Sequence, residues 1–337
     1  MKLIYIIAFT LLVSAGCSGN SGKVEFMHDE ANNKVEVFIN ENFFTSYFYP
    51  DDSEKPVLYP IHTSSGKDIT RGYPYDPRPF ERVDHPHHVG LWLNFGDVNG
   101  LDFWNNSFRI SPENKHRYGS IKFREIISEN PRRGKLVTGS DWVDINNNVL
   151  LDEETIFIFK ENNGVRSIER TSKLTAVTEV TIKGNKEGLL GLRMDRIFEE
   201  PSERPLRLLD AQGNLPDDPF VHNIGNNGLY RNADGHVGGA VWGERSPWVA
   251  LRGVKDGETI TIVIFDNKEN PYYPAWSHAR GYGLFAVNNL GGKGMHADAE
   301  DVEINLSPGE SISFTHLIVI GGEMSDEEIN RIHNDFN

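Results

Sequence analysis

The feature that most constrains this chain is a period-two alternation of apolar and polar residues that recurs along most of its length. In KVEVFI, Val35, Val37 and Ile39 fall on one face; in ETITIVIF, Ile260, Ile262 and Ile264 oppose Thr259, Thr261 and Val263. Similar runs at 121–128, 149–159, 174–183, 247–252 and 311–320 are separated by turn-forming KG, DG and Asn-rich clusters. Successive side chains of a strand point to opposite faces, so each run can bury one side of an antiparallel sheet. The alternation therefore predicts an antiparallel all-β domain, and no fixed-period repeat marks a propeller or solenoid.

One helix is expected, at the C-terminus. Ser325 and Glu328 have capping-box spacing, and Ile329, Ile332 and Phe336 then form one apolar stripe suited to the outside of the sheets. Two stretches rich in Gly, Pro, Asn and Asp, roughly 62–90 and 199–237, interrupt the strand pattern. Ordered loops of that length in a compact β-domain are usually functional. The single cysteine, Cys17, excludes an internal disulfide and a cysteine-based zinc cluster, so stability must come from packing. Lysine plus arginine number 34 against 49 acidic residues, and the net charge of −15 argues against nucleic acid as a partner.

The N-terminus reads as a targeting segment. Lys2 precedes an apolar run from Leu3 to Gly16, shorter than the ~20 residues that span a bilayer. Ser14, Ala15 and Gly16 before Cys17 resemble the lipobox of bacterial lipoproteins, although Ser14 stands where an apolar residue is usual. The expectation is a signal peptide over 1–16, a lipidated Cys17 and a flexible tether over 17–23. The β-domain follows over 24–337, held at the membrane of the bacterial cell envelope.

Two segments carry the candidate chemistry. In DHPHHVGLWLNFGDVNGLDFW, residues 84–104, three histidines lie within four residues, beside Asp84 and ahead of Trp92, Asp97, Asp102 and Trp104. In an extended chain His85 and His87 would share a side and His88 would oppose them, which suits a metal pair or a base with its partner. A polar turn whose imidazoles satisfy buried backbone groups is the alternative. No cofactor is required by the sequence; a divalent metal at the histidines is the one the pattern could hold.

In WSHARGYGLFAVNNLG, residues 276–291, His278 and Arg280 can share a face, with Trp276 and Tyr282 beside them. A sugar stacks on an indole and its carboxylate takes a bidentate contact from arginine. Core packing of the aromatics with Arg280 in a structural ion pair remains the alternative. Weaker candidates are Arg71, Tyr73 and Tyr75, which read as a rigid loop, and Arg193 with Asp195, which read as a cross-strand ion pair. Trp242 and Trp248 read as strand, turn and strand. No G-x-S-x-G, P-loop, HExxH or dinucleotide fingerprint is present.

These segments together, over roughly 40–322, resemble the PmoA-like family of exported bacterial proteins, whose members tend to accompany carbohydrate-processing enzymes. The resemblance implies a single large β-sandwich similar to the supersandwich of galactose mutarotases, an oligosaccharide substrate and other glycan-degrading enzymes acting before and after it. The methane-oxygenase label attached to some members finds no support in this sequence. The family pattern falls on His85, His87, His88, Gly90, Trp92, Asp97, Asn99, Asp102, Trp104, His278, Arg280, Tyr282 and Asn288, while Val89 and Asn94 depart from it.

Elimination across C4 and C5 of a uronic acid, by a dehydratase or lyase on glycans such as those of ulvan type, needs three groups: one for the carboxylate, a base and an acid. The expected catalytic residues are His85, His87, His88, His278 and Tyr282. Arg280, Trp92, Asp97, Asp102, Trp104, Trp276 and Asn288 are expected to bind substrate. A mutarotase- or epimerase-like enzyme and a non-catalytic glycan-binding lipoprotein are the competing readings.

Overall fold

The structure, a computed structural model, describes residues 22–337; Cys17, the segment 1–16 and most of the tether lie outside them. Two antiparallel sheets of eight strands each face one another. The first runs, in spatial order, through Val24–Asp29, Lys34–Ile39, Asn42–Phe48, Val57–Ile61, Leu91–Phe95, Gly188–Arg193, Leu284–Asn288 and Trp276–Arg280. The second runs through Leu229–Asn232, Trp248–Lys255, Glu258–Asp266, Ser311–Gly321, Val165–Ala176, Val149–Asn162, Lys135–Val143 and Ser120–Asn130. A separate pair, Val180–Lys183 with Glu303–Leu306, completes the strands. The run read as one strand over 174–183 is instead the end of one strand and the whole of another, broken at 177–179.

Alternation explains the core. Val35, Val37 and Ile39, with Phe44, Leu93 and Phe95 from the first sheet, meet Trp142, Phe157, Phe159, Ile168 and Phe314 from the second, all at most 2% exposed. Burying such side chains contributes roughly 1.5–3 kcal/mol each. The second sheet is also buried on part of its outer side, around Trp248, Val263, Phe265 and Val319. The helix Asp326–Phe336 has the expected capping box at Ser325 and Glu328. It lays Ile329, Ile332 and Phe336 over Trp248, Val263, Phe265 and Val319. That cover is why Val263, opposite the Ile260 face, is fully buried.

The first sheet has a different outer face. There Trp92, Ala286 and Leu284 pack with Trp104, Val89 and Tyr59 beneath the loops 62–90 and 99–119. Strand register sets Trp92 opposite Gly191, Gly191 opposite Ala286 and Ala286 opposite His278, one row across four strands. A Cβ on Gly191 would lie 2.4 Å from Trp92 Cζ2, so glycine is what lets the indole lie flat on the sheet. The candidate residues gather on this face. Among the described residues, no helix is long and apolar enough to cross a membrane.

Candidate functional site

The histidine segment is not extended. Pro86 occupies the second position of a four-residue turn closed by the His88 N–H donating to the His85 carbonyl at 3.0 Å, and His85 takes a positive φ of 41°. The opposed-face expectation for His88 is therefore wrong: all three imidazoles touch. His85 and His88 lie parallel with centroids 4.9 Å apart, and His87 meets His88 edge-on at 4.3 Å. Tyr282 stacks on the far side of His85 at 5.1 Å, and Trp92 continues beyond His88 at 5.2 Å. Trp104 packs against Trp92 at 5.2 Å and reaches His278 at 6.1 Å. The two segments thus form one continuous aromatic assembly.

Arg71 builds the turn. Its guanidinium, 1% exposed, donates to the carbonyls of Asp84 at 2.9 Å, His85 at 2.8 Å and His88 at 2.9 Å. Asp84 Oδ1 accepts from both Arg71 and Arg193 at 3.0 Å. Burial would raise the Asp84 carboxyl, but Arg193, the His85 ring 3.2 Å away and Arg71 outweigh it and hold the group well below the usual carboxylate range. Arg193 is thus paired with the histidine loop rather than across the sheet with Asp195, which binds Lys255 at 3.0 Å. It also lies 5.0 Å from the Tyr282 ring centre and 3.4 Å from His88 Nδ1.

Lys55 is a residue the sequence did not single out. It is 5% exposed, donates to the His87 carbonyl at 2.7 Å and sits 5.4 Å over the Trp92 ring. Burial pushes its ammonium down to about 7, only partly opposed by Glu54 and Asp102. Burial, reinforced by Lys55 for His87 and by His87 and Arg193 for His88, keeps both imidazoles well below their ordinary value and hence neutral near pH 7. His278 is lowered to about 4 by burial and then Arg280. The unpartnered buried atoms His87 Nε2, His88 Nε2, Trp92 Nε1 and His278 Nδ1 all belong to this assembly.

The residues divide by exposure. His88, Trp92, Trp104 and His278 are at most 3% exposed, so the two tryptophans are a floor, not sugar platforms, and the expectation of stacking on them is corrected. Asn288 is also buried, its amide spent on the Asn185 and Lys186 carbonyls and on the Leu290 N–H. Asp97 accepts from the Gly100 N–H and Asp102 from the Asn105 backbone and amide; both shape turns. His85, His87, Tyr282, Arg280 and Trp276 remain half-buried and reach the surface. Trp276, His278 and Arg280 alternate on one strand and share its outer face.

Arg280 stacks over Trp242 at 4.5 Å, and among the described residues no carboxylate lies within 4.0 Å of it. Trp242 follows a short helical turn, Gly238–Val241, rather than ending a strand. Glu200, which the sequence reading missed, lies against Gly281, where a Cβ would come within 2.5 Å of its carboxylate. Burial raises its carboxyl. Lys55 and Glu200 were silent in the sequence because neither sits near a motif. Among the described residues, no three His, Cys, Asp or Glu side chains are grouped to hold a metal ion. Nitrogen lone pairs lie in the ring plane, so stacked imidazoles such as His85 and His88 do not aim them at a common point.

Solved structures similar in architecture include an α-galactosidase from Geobacillus stearothermophilus, at 9% identity and TM-score 0.40, with 89% of this chain and 41% of that one covered. A polysaccharide lyase matches at 10% identity and TM-score 0.34, over 94% of this chain and 35% of that one. A galactose mutarotase-like protein from Clostridium acetobutylicum matches at 10% identity and TM-score 0.34, over 90% of this chain and 99% of that one. This chain thus spans about two fifths of the length of the galactosidase chains it matches. No curated protein matches the sequence. Residues 34–334 match the family described as a family of unknown function, DUF6807, and the chain belongs to that family.

Proposed function

We propose that the protein is an envelope lipoprotein, acylated at Cys17, that eliminates across C4–C5 of uronic-acid units in oligosaccharides. The observation that carries the reading is Arg280. In a chain of net charge −15 it is a half-buried guanidinium without a carboxylate partner among the described residues, on the strand of His278 and in the segment of Tyr282. A substrate carboxylate would complete it through a bidentate contact, and neutralising that carboxylate makes the C5 proton more acidic. The resemblance of both motif segments to exported proteins that accompany glycan-processing enzymes supports the same reading.

In the step proposed, an imidazole at the surface of the cluster, the neutral His87 or its neighbour His85, takes the C5 proton. The C5–H electron pair becomes the C4=C5 bond, and the C4–O bond breaks. The departing oxygen is protonated by Tyr282, whose phenol burial keeps in the donor form, or by Glu200. Loss of water makes the enzyme a dehydratase; loss of a sugar makes it a lyase. The test is incubation with a panel of uronic-acid oligosaccharides, following the ultraviolet absorbance of the conjugated uronate and the product masses. A change in anomer ratio at constant mass would instead favour a mutarotase- or epimerase-like enzyme, and binding without any chemical change a glycan-binding protein.

A further inference from the structure

A cleft of about 650 Å³ that none of His85, His87 and His88 lines lies where the edge strand Val24–Asp29 of one sheet faces the edge strand Ser120–Asn130 of the other. Its volume is in the range of small-ligand sites, ~300–1,000 Å³. Tyr49 and Phe123 stack there at 3.8 Å with an interplanar angle of 23°, both half-buried, beside Ile121. The polar lining is uneven in its chemistry. The basic groups are engaged: Lys55 Nζ donates to the His87 carbonyl, Lys122 Nζ to Asn147 Oδ1, and His28 Nε2 lies 2.6 Å from Glu129 Oε1. The acceptors are free: among the described residues, neither Glu30 nor Asp51 has a cation within 4.0 Å.

We propose that this cleft is a second carbohydrate site, one that takes uncharged, hydroxyl-rich sugar units rather than uronates. Sugar hydroxyls donate to carboxylates, and the C–H face of a pyranose packs on an aromatic ring. A uronate carboxylate would meet Glu30 and Asp51 with no unspent cation to offset them. The inference rests on the reading of the protein as one that handles glycans. Ser53 and Lys55 line both the cleft and the crevice at His87, so a chain of mixed neutral and acidic units could engage both places.

The test is titration of the purified protein with neutral trisaccharides (xylotriose, cellotriose, mannotriose), with trigalacturonate and triglucosamine as anionic and cationic counterparts. Binding is read by calorimetry and saturation-transfer NMR. At least one neutral trisaccharide should bind, and Tyr49→Ala should weaken it about tenfold, or ~1.4 kcal/mol. Asp51→Asn, an exposed change that leaves packing intact, should weaken it as well. Trigalacturonate binding should be indifferent to both variants. No binding by any neutral sugar, binding unaltered in both folded variants, or tighter binding of triglucosamine that Asp51→Asn abolishes would each overturn the inference. Elimination is assayed on the same samples: a wild type inactive on every uronate sinks the proposed reaction, while the trisaccharide titrations decide the cleft separately.

Discussion

Asp84→Asn isolates the charge that holds the histidine turn. The substitution keeps the shape and one acceptor oxygen but removes the carboxylate that Arg71 and Arg193 share at 3.0 Å each. Both guanidiniums are at most 1% exposed, so the variant leaves two buried positive charges facing each other without their counter-ion. Breaking a fully buried pair costs about 3–5 kcal/mol. Asp84 itself is 35% exposed on its side chain, and solvent screening reduces the expectation to roughly 2–4 kcal/mol.

The pH dependence has a definite sign. The folded-state pKa of Asp84 is depressed, so its contribution is fully present above the unfolded value near ~4 and is lost as pH falls toward the folded value. Urea denaturation of wild type and variant should therefore differ by a constant amount from pH 7 to about 5, and the gap should narrow below ~4. A difference under about 0.5 kcal/mol at pH 7, or a gap that widens in acid, would refute the claim that Asp84 anchors the turn.

Gly191→Ala should destabilise by about 1–3 kcal/mol and alter the near-ultraviolet circular dichroism, because the new Cβ would lie 2.4 Å from the fully buried Trp92 ring. Arg280→Lys keeps the charge but loses the fork, and kcat/KM on a uronate oligosaccharide should fall ~10- to 100-fold while the urea midpoint stays put. His87→Ala should lower kcat by about 100-fold or more with a small change in KM, since a base acts in the transition state. Cys17→Ala should move the protein from the membrane fraction to the soluble fraction or leave it unprocessed; unchanged membrane association would count against lipidation.

The sequence by itself determined the most regularly alternating strands and the C-terminal helix, because both patterns are local. Alternation such as Val35, Val37, Ile39 needs only the two-residue period of a strand, and the Ser325 and Glu328 cap needs only a four-residue window. It also placed His278 and Arg280 on one face for the same reason. What an extended-chain argument could not give was the histidine turn. His85, His87 and His88 converge because Arg71, thirteen residues before Asp84, binds the carbonyls of Asp84, His85 and His88, and that contact has no local signature. Lys55 and Glu200 escaped notice likewise: burial of an ionisable group depends on what folds over it. Only the packing of the loops onto the first sheet decided that Trp92, Trp104 and Asn288 are interior while Arg280 and Tyr282 reach solvent, since alternation fixes the face of a residue but not whether another layer covers that face.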